Sequence, residues 1–305
     1  MQSYTTDEMR QEWIELVHKL VESGHLNEMD WSLPREGVYS FLQSGFEVAE
    51  STDNKTLKAA ALKMEWSLLE KVLTYHELQA VFPGVLTHLF TLLVKQFHYQ
   101  MGSEVVCRLY EMVGYLVSTA LQDRLLGLKP PTTNLTPSWL SSHDDDTKEN
   151  DHNQEEKMNP EGLLSKARYT LSRLLPKMYS VSRMYGDGVE GLLFQRPEVK
   201  KAMLHSIQRI LTLSPIATQP SLPHLLDIVF MLSASELPEV TELAQHILLR
   251  FVDEQPELNQ NLSPTLLNNI QEAWKQMGSL RNPSLLRAQL EKMRGYMKWL
   301  EVHEA

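Results

Sequence analysis

His205 and His246 are the first residues to weigh for chemistry, because they stand 41 residues apart in near-copies of one stretch. Imidazole ligates metals and moves protons near neutral pH. Ligands to one zinc must come within about 2 Å of it. Equivalent positions on successive copies of a helix lie about 10 Å apart. The pair therefore reads as packing or a polar ridge and not as a metal site. His143 and His152 flank Asp144, Asp145 and Asp146, but no rigid backbone is expected to hold that donor set. Cys107, the one cysteine, sits in VVCRLYEMV and reads as a small core residue. A single cysteine excludes an internal disulfide and favours a reducing compartment, cytosol or nucleus.

Other reactive patterns are missing. The sequence has no G-x-x-x-x-G-K-[ST] phosphate loop, no G-x-G-x-x-G, no H-E-x-x-H, no paired cysteines and no G-x-S-x-G elbow. The expectation is a chain that is not an enzyme and uses no cofactor or metal. Ser141 and Ser142 each have an aspartate three residues on, the preference of acidophilic kinases, so both are candidate phosphorylation sites.

Charge suggests binding instead. The net charge is −10, which disfavours nucleic acid as the partner of the whole chain. Residues 161–213 nevertheless hold nine basic residues against four acidic ones, and 281–298 are basic too. Lys200, Lys201, Arg209, Arg250 and Arg287 are the candidates for a basic groove that receives an acidic or helical peptide segment of another protein. Trp139, in LTPSWL, is a candidate linear motif, and Trp299 a candidate cap or apolar contact at the last helix. The alternative reading is a nucleic-acid-binding surface on the basic 161–213 face. The lack of interleaved aromatic residues argues against it.

These residues need elements to position them, and the elements read as helices. Leu is abundant, Gly numbers only 13, and no stretch alternates with period two. A first helix is expected over 5–23, with Thr5 and Glu8 at capping-box spacing and Trp13, Leu16, Val17, Leu20 and Val21 on one stripe. A second is expected near 36–50. Asn54 is placed to cap a third, with Leu57, Ala61, Met64, Leu68 and Val72 as its stripe. Pro83 is expected in the first turn of a helix over 81–97, and Ser103 opens the next. No signal core and no run of about eighteen apolar residues is present, so no membrane span is expected.

Residues 127–160 differ in kind. They hold seven acidic and three basic residues, several prolines, and almost nothing apolar after Leu140. Such a segment cannot offset the entropy of ordering itself, so it is expected to be a disordered acidic loop. Helices resume near Glu161 and run to about Tyr185, with Pro176 expected to kink or split that segment.

The strongest pattern is an echo. PEVKKAMLHSIQRIL (197–211) is rewritten as PEVTELAQHILLRFV (238–252), and PSLLRAQLEKMRGYM from Pro283 follows the same template. The helices between also echo: PHLLDIV (223–229), PTLLNNI (264–270) and, more distantly, PGVLTHL (83–89). Two independent helices repeating at one spacing define a helical hairpin as the unit. One hairpin cannot hide its apolar stripe, whereas stacked neighbours can.

A period of about forty residues built from two amphipathic helices resembles the HEAT and armadillo arrays. Pro197 to Ala202 matches the start of the HEAT second helix well. The copy from Pro238 departs at Thr241, where a basic residue is expected, and the copy from Pro283 matches loosely. The resemblance implies an all-α, right-handed superhelix of stacked hairpins, and binding rather than catalysis. The expected organisation is an N-terminal helical part (1–126), the acidic loop (127–160) and C-terminal HEAT/armadillo-like repeats (161–305). The expected role is a protein-binding scaffold or adaptor in a larger assembly, cytoplasmic and/or nuclear.

Overall fold

The computed structural model describes residues 6–24, 36–95, 102–128, 160–180, 189–254, 256–278 and 280–303. Among them there are twelve α-helices and no strand. The chain divides into two compact units. The first is Met1–Ala120 with Asp187–Ser206, and the second is Leu121–Gly186 with Ile207–Ala305.

The first unit begins with α1 (Thr6–Glu22), α2 (Glu36–Ser51) and α3 (Lys55–Ser67). Asn54 caps α3 as expected, its side-chain oxygen accepting from the Thr56 and Leu57 amides at 3.0 and 3.3 Å. On α1 the buried face is Ile14, Val17 and Val21, while Leu16 stands 57% exposed. The inward stripe is thus rotated from the one read in the sequence, because Ile14 and not Leu16 faces α3. Met64 and Leu68 are fully buried, and Leu68–Val72 winds on as a π-helical turn.

The next helix does not start where Pro83 suggests. α4 runs Tyr75–Phe90, because Thr74 and Glu77 cap it: the Thr74 amide donates to the Glu77 carboxylate at 2.8 Å. Pro83 is therefore inside the helix, and Thr91–Lys95 continues it as a second π turn. By length and composition Tyr75–Val94 is apolar enough to cross a membrane. In this unit its side chains Leu78, Phe82, Leu86 and Leu89 are core residues. α5 (Ser103–Ala120) is buried on nearly every side, α4 and α3 pack against it, and it forms the centre of the unit. The short α7 (Val189–Phe194) meets it through a Phe194–Tyr110 edge contact at 6.4 Å. The first half of α8 (Pro197–Leu213) comes so close that a Cβ on Gly114 would stand 2.8 Å from the Ser206 Cα.

The second unit contains α6 (Pro160–Met178), the end of α8, α9 (Leu222–Ser233), α10 (Pro238–Glu254), α11 (Pro256–Met277) and α12 (Pro283–His303). Pro176 lies inside α6, in its last turn, and the helix runs on to Met178, so it does not split the segment. α9 is largely apolar, with His224 and Asp227 as its ionisable residues, and its buried set includes Leu225, Leu226, Ile228, Val229, Phe230 and Leu232. It packs against both α10 and α12; α11 packs against both of these as well, which closes a ring of four helices. In a stack of like hairpins, first helices would pack on first helices and second on second. Here the second-type helix α12 lies on the first-type helix α9. α9 begins near its proline, with Pro223 in its first turn. Pro264 by contrast is interior to α11, because Pro256 takes the helix start. Pro83 and Pro264 thus occupy the same ninth position of α4 and α11.

The turn after α8 is held from one side by Asp123. Its carboxylate accepts from the amides of Ile216 and Ala217 at 2.7 and 2.8 Å. Arg168 on α6 donates to the Ile216 carbonyl at 2.9 Å.

Candidate protein-binding surface

The two echoed helices each start at a proline, whose missing amide costs nothing at that position, and each carries glutamate in its first turn. Within the second unit their last turns line one narrow crevice: Gln208, Leu211 and Thr212 from α8, and Ile247, Arg250, Phe251 and Glu254 from α10. Leu211, Ile247 and Phe251 are buried and form its apolar floor. Arg209 is exposed beside Gln208, and Arg250 is exposed at the equivalent place 41 residues later. Arg250 Nε holds Glu254 at 2.7 Å across one exposed helical turn. Such a pair contributes only about 0.3–0.5 kcal/mol, so the guanidinium can exchange this carboxylate for another.

The five basic candidates are divided between the two units. Lys200 and Lys201 belong to the first unit, and Arg209, Arg250 and Arg287 to the second. Lys200 is only 7% exposed and donates to Gln195 Oε1 at 2.9 Å. It opens the buried stripe Leu204, Ile207 and Leu211, so its stem is core and its head is engaged internally. Lys201 is half-buried, and Arg287 is exposed. Trp299 is also internal, at 7% exposure, with its ring edge-on to Phe230 at 5.8 Å. It seals α12 onto α9 rather than projecting outward. Two more cations of the basic C-terminal stretch are turned inward: Lys292 pairs with Asp227 at 2.5 Å, and Lys298 donates to the Ser233 carbonyl at 3.0 Å. Trp139, Ser141, Ser142, His143 and His152 lie outside the described residues.

His205 and His246 are both exposed. Among the described residues no group of three or more His, Cys, Asp or Glu side chains could hold a metal ion. Cys107 is half-buried, and burial, with Glu111 and Glu198 adding to it, pushes its thiol up to about 11. A thiol so disposed is a poor nucleophile.

Sequence reasoning missed three polar groups. Asp123 clamps the turn after α8, and Asp227 joins α9 to α12. Glu65 is fully buried, and neither of its carboxyl oxygens has a hydrogen-bond partner. The signal for Glu65 was present: it stands four residues after Ala61 and three before Leu68, on an otherwise apolar stripe. Compared with known proteins, the chain matches no family model, no curated protein and no solved structure.

Proposed function

We propose that the chain is a non-catalytic scaffold or adaptor that binds other proteins through the outer surface of its helices. In this reading α8 and α10 are neighbouring second helices of a HEAT/armadillo-like right-handed superhelix, and α11 with α12 folds over its end as a cap. The observation that carries the reading is the crevice between the last turns of α8 and α10. An apolar floor with exposed Arg250 at its edge, and exposed Arg209 on the same stretch of α8, suits a helical segment that lays an apolar residue over the crevice and flanks it with Asp or Glu. The role fits an assembly subunit in the cytosol or nucleus.

A photo-crosslinking residue at Gln208, in the crevice lining, tests this reading in cells. Covalent capture of a discrete protein there, absent when the crosslinker replaces exposed Glu12 on α1, is the expected result. Equal labelling from both positions contradicts it. Capture of nucleic acid instead of protein would favour the alternative function.

A further inference from the structure

Glu65 has no accessible surface, and both its carboxyl oxygens lack a hydrogen-bond partner. Its Oε1 occupies the room that a side chain would need at residue 45, lying 1.7 Å from where a Cβ on Gly45 would stand. Gly45 is on α2 and Glu65 on α3, so the carboxyl is wedged into the seam between the two helices. Met64 Cε bounds the same space, 2.6 Å from that Cβ position.

The ionisable groups on the surrounding elements are engaged elsewhere. On α1, Glu22 accepts from Ser67 and Lys71 at 3.0 and 2.6 Å, with His18 beside it. On α2, Glu47 accepts from Gln43, and Glu50 holds His88 at 2.6 Å. On α5, Arg108 pairs with Glu111 and lies over the Trp66 ring, and the Tyr115 hydroxyl faces the Leu69 carbonyl. On α3 itself, Lys58 is influenced by Asp53 and Glu50, and Lys63 is exposed. Among the described residues no cation pairs with Glu65. Burial alone holds its carboxyl well above the usual range.

We propose that Glu65 makes the seam between α2 and α3 a pH-sensitive joint, closed around a protonated carboxyl and loosened when that carboxyl ionises. An ionised carboxylate here would have neither water nor a hydrogen-bond donor, which is the costliest state for a buried group. The joint lies just ahead of the π turn Leu68–Val72. Local departures from α-helix of this kind accompany functional sites. The sign follows from proton linkage. The folded unit keeps the proton to higher pH than the unfolded chain does. Its stability is therefore fullest below the ordinary glutamate range, and is lost as pH rises through the folded value. The inference is independent of the proposed partner surface.

The test compares the full-length wild type with Glu65→Gln and Glu65→Leu, using urea unfolding from about pH 4.5 upward with tryptophan fluorescence as the probe. Relative to either variant, the wild-type unfolding constant should rise about tenfold per pH unit until the folded carboxyl ionises. Parallel pH profiles would overturn the proposal. Infrared spectroscopy of the wild type keeps the test decisive if the Gln variant does not fold. A carbonyl band of a protonated carboxylic acid should persist to pH above the ordinary glutamate range and vanish in Glu65→Leu. Absence of the band, or its survival in Glu65→Leu, refutes the joint.

Discussion

Tyr296 on α12 donates its hydroxyl hydrogen to Asp227 on α9, and Lys292, one turn earlier, reaches the other oxygen of that carboxylate at 2.5 Å. Burial, the Asp227 charge and this hydrogen bond all push the Tyr296 hydroxyl upward, so it stays a donor throughout the range in which the protein is handled. Removing Asp227 leaves a buried phenol and a half-buried ammonium without their shared acceptor. Asp227→Ala should therefore cost the second unit about 2–3 kcal/mol. Tyr296→Phe should cost about 1 kcal/mol, since only the hydroxyl is lost. Urea midpoints of the three proteins check the order.

The glycines separate into two kinds. A Cβ on Gly295 would stand 2.0 Å from the Phe230 carbonyl oxygen, so α12 and α9 approach through bare backbone. Gly84, inside α4, has nothing within 4 Å of the same position. Gly295→Ala should destabilise the protein severely, because backbone cannot move aside as a flexible side chain can. Gly84→Ala should instead stabilise it by about 0.5–1 kcal/mol through helix propensity. Thermal melting distinguishes the two directions.

Asp123 presents both carboxylate oxygens to the Ile216 and Ala217 amides. Asp123→Ala strands two amide donors and should cost about 1–3 kcal/mol. Hydrogen exchange is expected to rise first at the Ile216 and Ala217 amides. Unchanged protection there would show that the clamp does not hold the turn.

Burial, with Glu111 and Glu198 beside it, pushes the Cys107 thiol up to about 11. The thiolate is the reactive form. With its pKa raised from 9.0 to about 11, the Cys107 thiolate fraction at about pH 8 should be roughly a hundredfold below that of an ordinary thiol. Alkylation by iodoacetamide should be slowed by about the same factor relative to a small-thiol control, and should recover on unfolding in urea.

How much of this was legible depended on whether the deciding contacts were local. Pro197, Pro238 and Pro283 start their helices as written, and Asn54 caps α3, because a helix start is governed by the next few residues. Thr74 and Glu77 formed an equally local signal, and it outranks Pro83. Pro83 lies inside α4 all the same, at its ninth position. The choice of buried face was harder. Leu16 and Ile14 are equally apolar, and only the position of α3 decides between them. Charged residues on apolar stripes were the least legible. Lys200 precedes Leu204 and Ile207 at stripe spacing and is buried, yet its charge reads as surface. The packing of α12 on α9 is a long-range choice that no spacing within a repeat encodes. The proposed partner surface was legible only in part: Arg209 and Arg250 were singled out for their charge, whereas the apolar crevice that Arg250 lines depends on two helices meeting.

The central claim is that the exposed arginines of α8 and α10 grip a partner protein. Quantitative affinity purification of the tagged full-length chain tests it most directly, comparing the wild type with Arg209→Glu/Arg250→Glu and with a control reversal at exposed Lys275. The account predicts that a defined set of proteins is recovered with the wild type and the control and lost with the double variant. Recovery of the same set with all three proteins would contradict it.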